Sequence, residues 1–136
     1  MWDAVDIHVD SQNKYDYASE DAMYNDIGMD KGNGFWGIAI ADHDTSDLLL
    51  TKKYYAYGQF SRYIEPGDTL IASGDNTVCA YDKKDKKAVI VAVNTAGTDK
   101  TWKYNLADFT KIGSKVTAIR TSGTLKDGEN WADVSD

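Results

Sequence analysis

The sequence predicts a mainly β protein, an antiparallel β-sandwich that carries one aromatic-rich helix. Three observations lead there. In the second half of the chain, apolar residues recur with period two in short runs separated by turn residues. One stretch, from Leu50 to Ile64, has a helical period instead. The 136 residues, 42% hydrophobic and 12% aromatic with a mean hydropathy of -0.52, are enough for one core without disulfide or metal staples.

Taken in order, Trp2 to Val9 alternates loosely through Val5, Ile7 and Val9 and reads as a short strand. Asp10 to Asn33 is polar, with only a weak helical stretch around Glu20 to Ile27, and is too long for an ordinary connection. It belongs among functional loops or mobile segments. Gly32-Asn33-Gly34 is turn chemistry, and Phe35 to Ala41 after it reads as a buried strand. Asp47 is the expected N-cap of the helix. Leu50, Tyr54, Tyr57, Phe60, Ser61 and Ile64 fall on one helical face, and Pro66-Gly67 ends the element.

Strands are then predicted over Thr69 to Ser73, Thr77 to Tyr81, Ala88 to Asn94, Thr101 to Leu106 and Lys115 to Thr121. The run Ala88 to Val93 is apolar on both faces, so it is expected at the centre of its sheet. In Thr101 to Leu106 the large side chains share one face, which predicts a half-exposed strand. Asp82 to Lys87 mixes both charges between two strands and reads as a solvated hairpin tip. There is no internal repeat and no low-complexity segment.

Charge excludes several partners. Lys and Arg number 15 against 22 Asp and Glu, giving -7 and a pI near 4.7, which argues against nucleic acid and anionic membranes. The imbalance is local: residues 1–50 hold 11 acids and 2 bases and carry -9, while the remainder carries +2. No apolar run approaches the ~20 residues of a membrane span, and the opening MWDAVDIH lacks a basic flank and an apolar signal core, so no signal peptide is expected in this chain. Cys79, the single cysteine, has no internal disulfide partner and reads as a buried structural thiol.

Two carboxyl groups about 5 to 9 Å apart would be needed for glycoside hydrolysis. Asp3 with Asp6, and Asp42 with Asp44 around His43, are the pairs that could meet a ligand; the plainer reading is solvated acids at strand ends and helix caps. His8 between Asp6 and Asp10, and His43 between Asp42 and Asp44, raise a metal site, but neither zinc-protease spacing nor a calcium loop is present, and no metal or cofactor is expected. A glycine-flanked serine elbow and a glycine-rich phosphate loop are missing. Four tryptophans and nine tyrosines offer faces on which sugar rings stack. Tyr54, Tyr57 and Phe60 are explained by helix packing and Trp102 and Tyr104 by sheet packing. Trp2 and Trp36, each beside an acidic, polar stretch, are the candidates for ligand contact, with core packing as the other reading.

The segment Phe35 to Ser73, above all Lys53-Tyr54-Tyr55-Ala56-Tyr57-Gly58-Gln59-Phe60-Ser61-Arg62-Tyr63-Ile64 followed by Pro66-Gly67, resembles the junction in glycoside hydrolase family 30 enzymes where the catalytic barrel gives way to the side sandwich. Thr77 to Thr121, with AVIVAVNTAG, is similar in strand order to that sandwich. Endo-β-1,6-galactanase-like members look closest, ahead of xylanase-like and β-1,6-glucanase-like ones.

The resemblance implies that residues 1–65 are a remnant of the last strand and helix of a (β/α)8 barrel and that 66–136 form a sandwich side domain, with further strands missing. A full barrel takes about 250 residues, so strands one to seven are not in this sequence. The family's acid/base and nucleophile glutamates have no counterpart here, so no catalytic residue is assigned. The expected function is the non-catalytic C-terminal part of a retaining polysaccharide hydrolase, inactive alone. Its substrate would be galactan-type, and it would act outside the cell through its parent. Trp2, Asp3, Asp6, His8 and Trp36 would line a sugar subsite. The missing barrel and carbohydrate are the expected partners.

Two other readings stand beside this one. The chain could be a stand-alone carbohydrate-binding module using exposed aromatic residues. It could instead be a structural fragment that self-associates through an apolar helix face near Leu48, Leu49, Leu50, Tyr54 and Tyr55.

Overall fold

The structure, a computed structural model, describes residues 4–8, 37–42, 46–71, 74, 76–125 and 127–135, with the backbone alone for 6–8 and 42. Over these residues the protein is mainly β, with one mixed sheet, two antiparallel sheets and a single helix. The expected loop over Asp10 to Asn33 and the turn at Gly32 to Gly34 lie outside the described residues.

The first sheet has the order β1 (Val5–His8), β2 (Ala39–Asp42), β3 (Asp47–Leu50). β1 and β2 run parallel, with Val5 beside Ala39 and His8 beside Asp42; β3 is antiparallel to β2, with Leu50 beside Ala39. A parallel pair cannot be joined by a tight turn, and residues 9–38 separate β1 from β2 in the sequence. Ile40, the fully buried centre of this sheet, comes from the run expected to be a buried strand.

Asp47 is not the helix N-cap. It opens β3, because Leu48 to Leu50 find ladder partners in Ala39 to Ala41. The helix α1 spans Lys52–Ser61, and Thr51 holds the N-cap position. The Thr51 hydroxyl donates to the Ile38 carbonyl at 2.8 Å instead of capping α1, so the helix is suspended from the first sheet at its start. α1 ends at Ser61, ahead of Pro66-Gly67. The backbone N–H of Arg62 closes on Gly58, and those of Tyr63 and Ile64 on Phe60.

The second sheet is antiparallel with the order β4 (Thr69–Ile71), β5 (Thr77–Asp82), β6 (Lys87–Ala92). The strand expected at the centre, β6, is instead at an edge. β5 is central, and the fully buried Ala80 on it permits close approach of what covers this face. β6 buries Val91 but ends at Ala92 and leaves Val93 exposed. Cys79 is half-buried on β5, beside Ile90 and Ile71.

The β5–β6 tip is a solvated turn, as the mixed charges predict. The Asp82 carboxylate accepts the backbone N–H groups of Lys84 at 2.8 Å and Asp85 at 3.1 Å. Those bonds hold its pKa below the ordinary carboxylate value.

Thr101 to Leu106 is not a strand. Strand alternation would place Trp102, Tyr104 and Leu106 on one face, yet Trp102, Leu106 and Phe109 are half-buried and Tyr104 is exposed. Inward residues four and three apart belong to a segment that winds, and the Phe109 N–H closes a turn on the Leu106 carbonyl at 3.1 Å.

The last sheet pairs β7 (Ile119–Ser122) with β8 (Glu129–Asp133). β7 begins four residues later than the pattern predicts. β8 is not anticipated at all, since only Trp131 and Ala132 in it are apolar.

Candidate functional site

A set of long-range side-chain contacts joins α1 to the β7–β8 hairpin. Its sequence logic begins at Gly58. A glycine inside a helix costs about 1 kcal/mol relative to alanine, and here it opens a gap among Tyr54, Tyr55 and Phe60. Trp131 fills that gap: a Cβ placed on Gly58 would collide with the atoms of the indole ring. Tyr54 and Tyr55 flank the indole with ring centroids 5.2 and 5.0 Å away, and the Arg62 guanidinium lies 4.7 Å from its centroid. The indole Nε1 donates to the Tyr55 carbonyl at 2.8 Å.

The hairpin reaches the helix because it is irregular. Between the pairs Arg120/Ala132 and Ser122/Glu129 the register shifts, so Thr121 faces both Asn130 and Trp131. This β-bulge puts Trp131 at φ 56°, a left-handed conformation that costs a bulky residue on the order of 1 kcal/mol or more. The Thr121 hydroxyl accepts the Trp131 backbone N–H at 3.3 Å and the Gln59 side-chain amide at 2.7 Å, fixing bulge and helix together.

Lys52, the first helical residue, anchors the other end. Its ammonium donates toward the carbonyls of Ser122 at 2.7 Å, Thr124 at 3.1 Å and Glu129 at 2.7 Å, and toward the Asn130 Oδ1 at 2.7 Å. Four oxygens share its three protons. Burial pulls the Lys52 pKa below its ordinary value, and the Glu129 charge opposes that. The Asn130 amide is itself aimed by a bond from its Nδ2 to the Leu125 carbonyl at 2.7 Å, over the buried Leu125. On the outer face, the Arg120 guanidinium and the Ser122 hydroxyl both bond the Glu129 carboxylate and hold its pKa down to about 2.

Two grooves accompany this frame. One, of about 430 Å³, runs along α1 between Ile38, Tyr54, Tyr57, Arg62 and Trp131. The other, of about 370 Å³, lies over the second sheet between Ile71, Cys79, Val89, Trp102, Tyr104 and Phe109. Lys100 sits over the Trp102 ring at 5.2 Å, and the buried Trp102 Nε1 has no hydrogen-bond partner among the described residues. Among the described residues neither groove is lined by an aspartate or glutamate; they offer apolar and aromatic surface beside Arg62 in the first and Lys100 and Lys103 in the second.

Of the residues singled out from sequence, Trp2, Asp3 and Trp36 lie outside the described residues. Asp6 and His8 are placed by backbone alone, on β1, beside Ile40 and Asp42. His8, Asp42 and Asp47 therefore occupy one row across the first sheet. Asp44 and His43 are not described. Among the described residues no group of three or more His, Cys, Asp or Glu could hold a metal ion.

The helical face differs from the expected one. Tyr57 is 55% exposed and Phe60 is exposed, whereas Tyr54, Tyr55 and Gly58 face the hairpin. Of the proposed self-association patch, Tyr54 and Tyr55 are thus packed on Trp131, and Leu48 on β3 is 61% exposed. Lys52, Gln59, Thr121 and Trp131 were not anticipated. The one legible signal was Gly58, a helix-breaking residue among tyrosines. Comparison with protein-family models, with curated proteins and with solved structures finds no match for this chain.

Proposed function

We propose that this chain is the non-catalytic C-terminal part of a family 30-like glycoside hydrolase acting on a galactan-type polysaccharide outside the cell. In this reading residues 1–65 are the tail of the barrel, 66–136 are most of a sandwich side domain, and α1 braces one against the other. The observation that carries the reading is the docking of α1 on β7–β8 through Lys52, Gln59 and Trp131. A helix that resembles the last of a barrel is thereby fastened to strands some 70 residues further on, which is what a brace between two parts of one enzyme requires.

With β1 as the last barrel strand, β2 and β3 would already lie beyond the barrel, and β3, antiparallel to β2, departs from its all-parallel pattern. Sequencing the coding region upstream of Met1 tests the reading. A frame that continues into a barrel with glutamates after its fourth and seventh strands supports it, and an unrelated upstream frame overturns it. Hydrolysis of β-1,6-galactan by the purified chain alone would also contradict it.

A second reading, a carbohydrate-binding module, is favoured by the groove over the second sheet, where Trp102 and Tyr104 provide aromatic surface beside Lys100. Titration with galactans, xylans and glucans, followed by tryptophan fluorescence, decides it: a flat response to all three removes it.

A further inference from the structure

We propose that the β7–β8 hairpin is a clasp: its docking makes Lys52–Ser61 a helix, and the two open and close as one unit while the β4–β5–β6 sheet stays folded. The inference concerns this chain by itself and stands whether or not the chain braces a barrel.

The helix has little to hold it alone. It is ten residues long, below the roughly 12 to 15 at which isolated helices become marginal in water. Its N-cap side chain makes no capping bond, its first turn has no acid and its last turn no base. Gly58 stands in its interior, and three tyrosines and a phenylalanine fill much of the rest. Every local signal that stabilises a short helix is weak.

What α1 lacks locally, the hairpin supplies. Lys52 at the first position and Gln59 near the last turn both bond β7–β8 or the turn between them, and Trp131 fills the space over Gly58 midway. The strands on which α1 chiefly packs are β7 and β8. The dependence is mutual. The hairpin has a two-strand ladder interrupted by a bulge with Trp131 left-handed, and two-stranded ribbons are marginal without a packing partner. By contrast β5 has ladder partners on both sides and its own buried Ala80. Two cooperative units follow. The outward aromatic surface of α1, Tyr57 and Phe60, is then presented only while the clasp is shut.

Native-state hydrogen exchange on the full chain, read by peptide, tests this. In wild type under low urea, amides of 54–62 and of β7–β8 are expected to share one opening free energy, lower than that of β5 and β6. In Trp131→Ala and in Lys52→Met, amides of 54–62 exchange at least about tenfold faster while β5 and β6 keep their rates. The proposal is overturned if helix amides stay protected in both variants, or if β5 and β6 accelerate in step with them. Should either variant fail to fold, the wild-type urea series alone decides: a single opening free energy for all strands and the helix refutes two units.

Discussion

The indole of Trp131 lies on Gly58, at the one position of α1 where the helix has no side chain to obstruct it. Each residue explains the other: the glycine weakens the helix locally, and the space it leaves admits the ring.

Gly58→Ala therefore destabilises the protein although alanine is the better helix former by about 1 kcal/mol. The added methyl meets the indole, and overpacking of this kind costs about 1 to 3 kcal/mol net of relaxation. Thermal unfolding checks it; an unchanged or higher Tm would contradict the assigned contact.

Lys52→Met removes the ammonium and leaves four oxygens without that donor, at a cost of about 1 to 3 kcal/mol. Lys52→Arg does not rescue, because a planar fork cannot direct its protons to the same four points as a compact ammonium. Urea midpoints of the two variants are expected below wild type, and full rescue by arginine would show that charge alone matters.

The two faces of α1 respond differently. Tyr57→Ser, at an exposed position, shifts stability by no more than about 0.5 kcal/mol. Tyr55→Ser removes an edge contact to Trp131 and costs about 1 to 2 kcal/mol. The opposite ranking in chemical denaturation would restore the helical face predicted from spacing.

Acid acts on the hairpin through Glu129. Its carboxyl is held down to about 2, against an ordinary 4.5, mainly by the Arg120 and Ser122 hydrogen bonds. A depressed pKa means that the unfolded chain binds the proton first. The stabilisation is thus complete above pH 4.5 and lost as pH falls toward 2. Glu129→Gln is expected to be less stable than wild type near neutrality, with the gap closing through that window. A gap independent of pH would place the effect elsewhere.

The sequence made the second sheet easiest to read. Val78, Ala80 and Val91 have partners close in the chain, and the Asp82 to Lys87 tip announces its hairpin. The buried run through Ile40 was also legible. β8 was not, because Glu129, Asn130 and Asp133 carry no strand pattern; it exists through its ladder to β7 and the fit of Trp131 on a distant helix. Asp47 was misplaced for a related reason: a good capping residue was outcompeted by ladder bonds between Leu48 to Leu50 and β2. Spacing ranked Tyr57 and Phe60 with the core, since periodicity locates a stripe but not the neighbour that chooses among adjacent stripes. The candidate site was the least legible part. Lys52 and Trp131 are 79 positions apart, and only the folded geometry unites them.

That separation also orders events during synthesis. Lys52 emerges from the ribosome long before Ser122, Glu129 and Trp131 exist, so the nascent tyrosine-rich segment must wait, its aromatic rings unshielded, until they arrive. During that interval it is the stretch of polypeptide on which a chaperone would act.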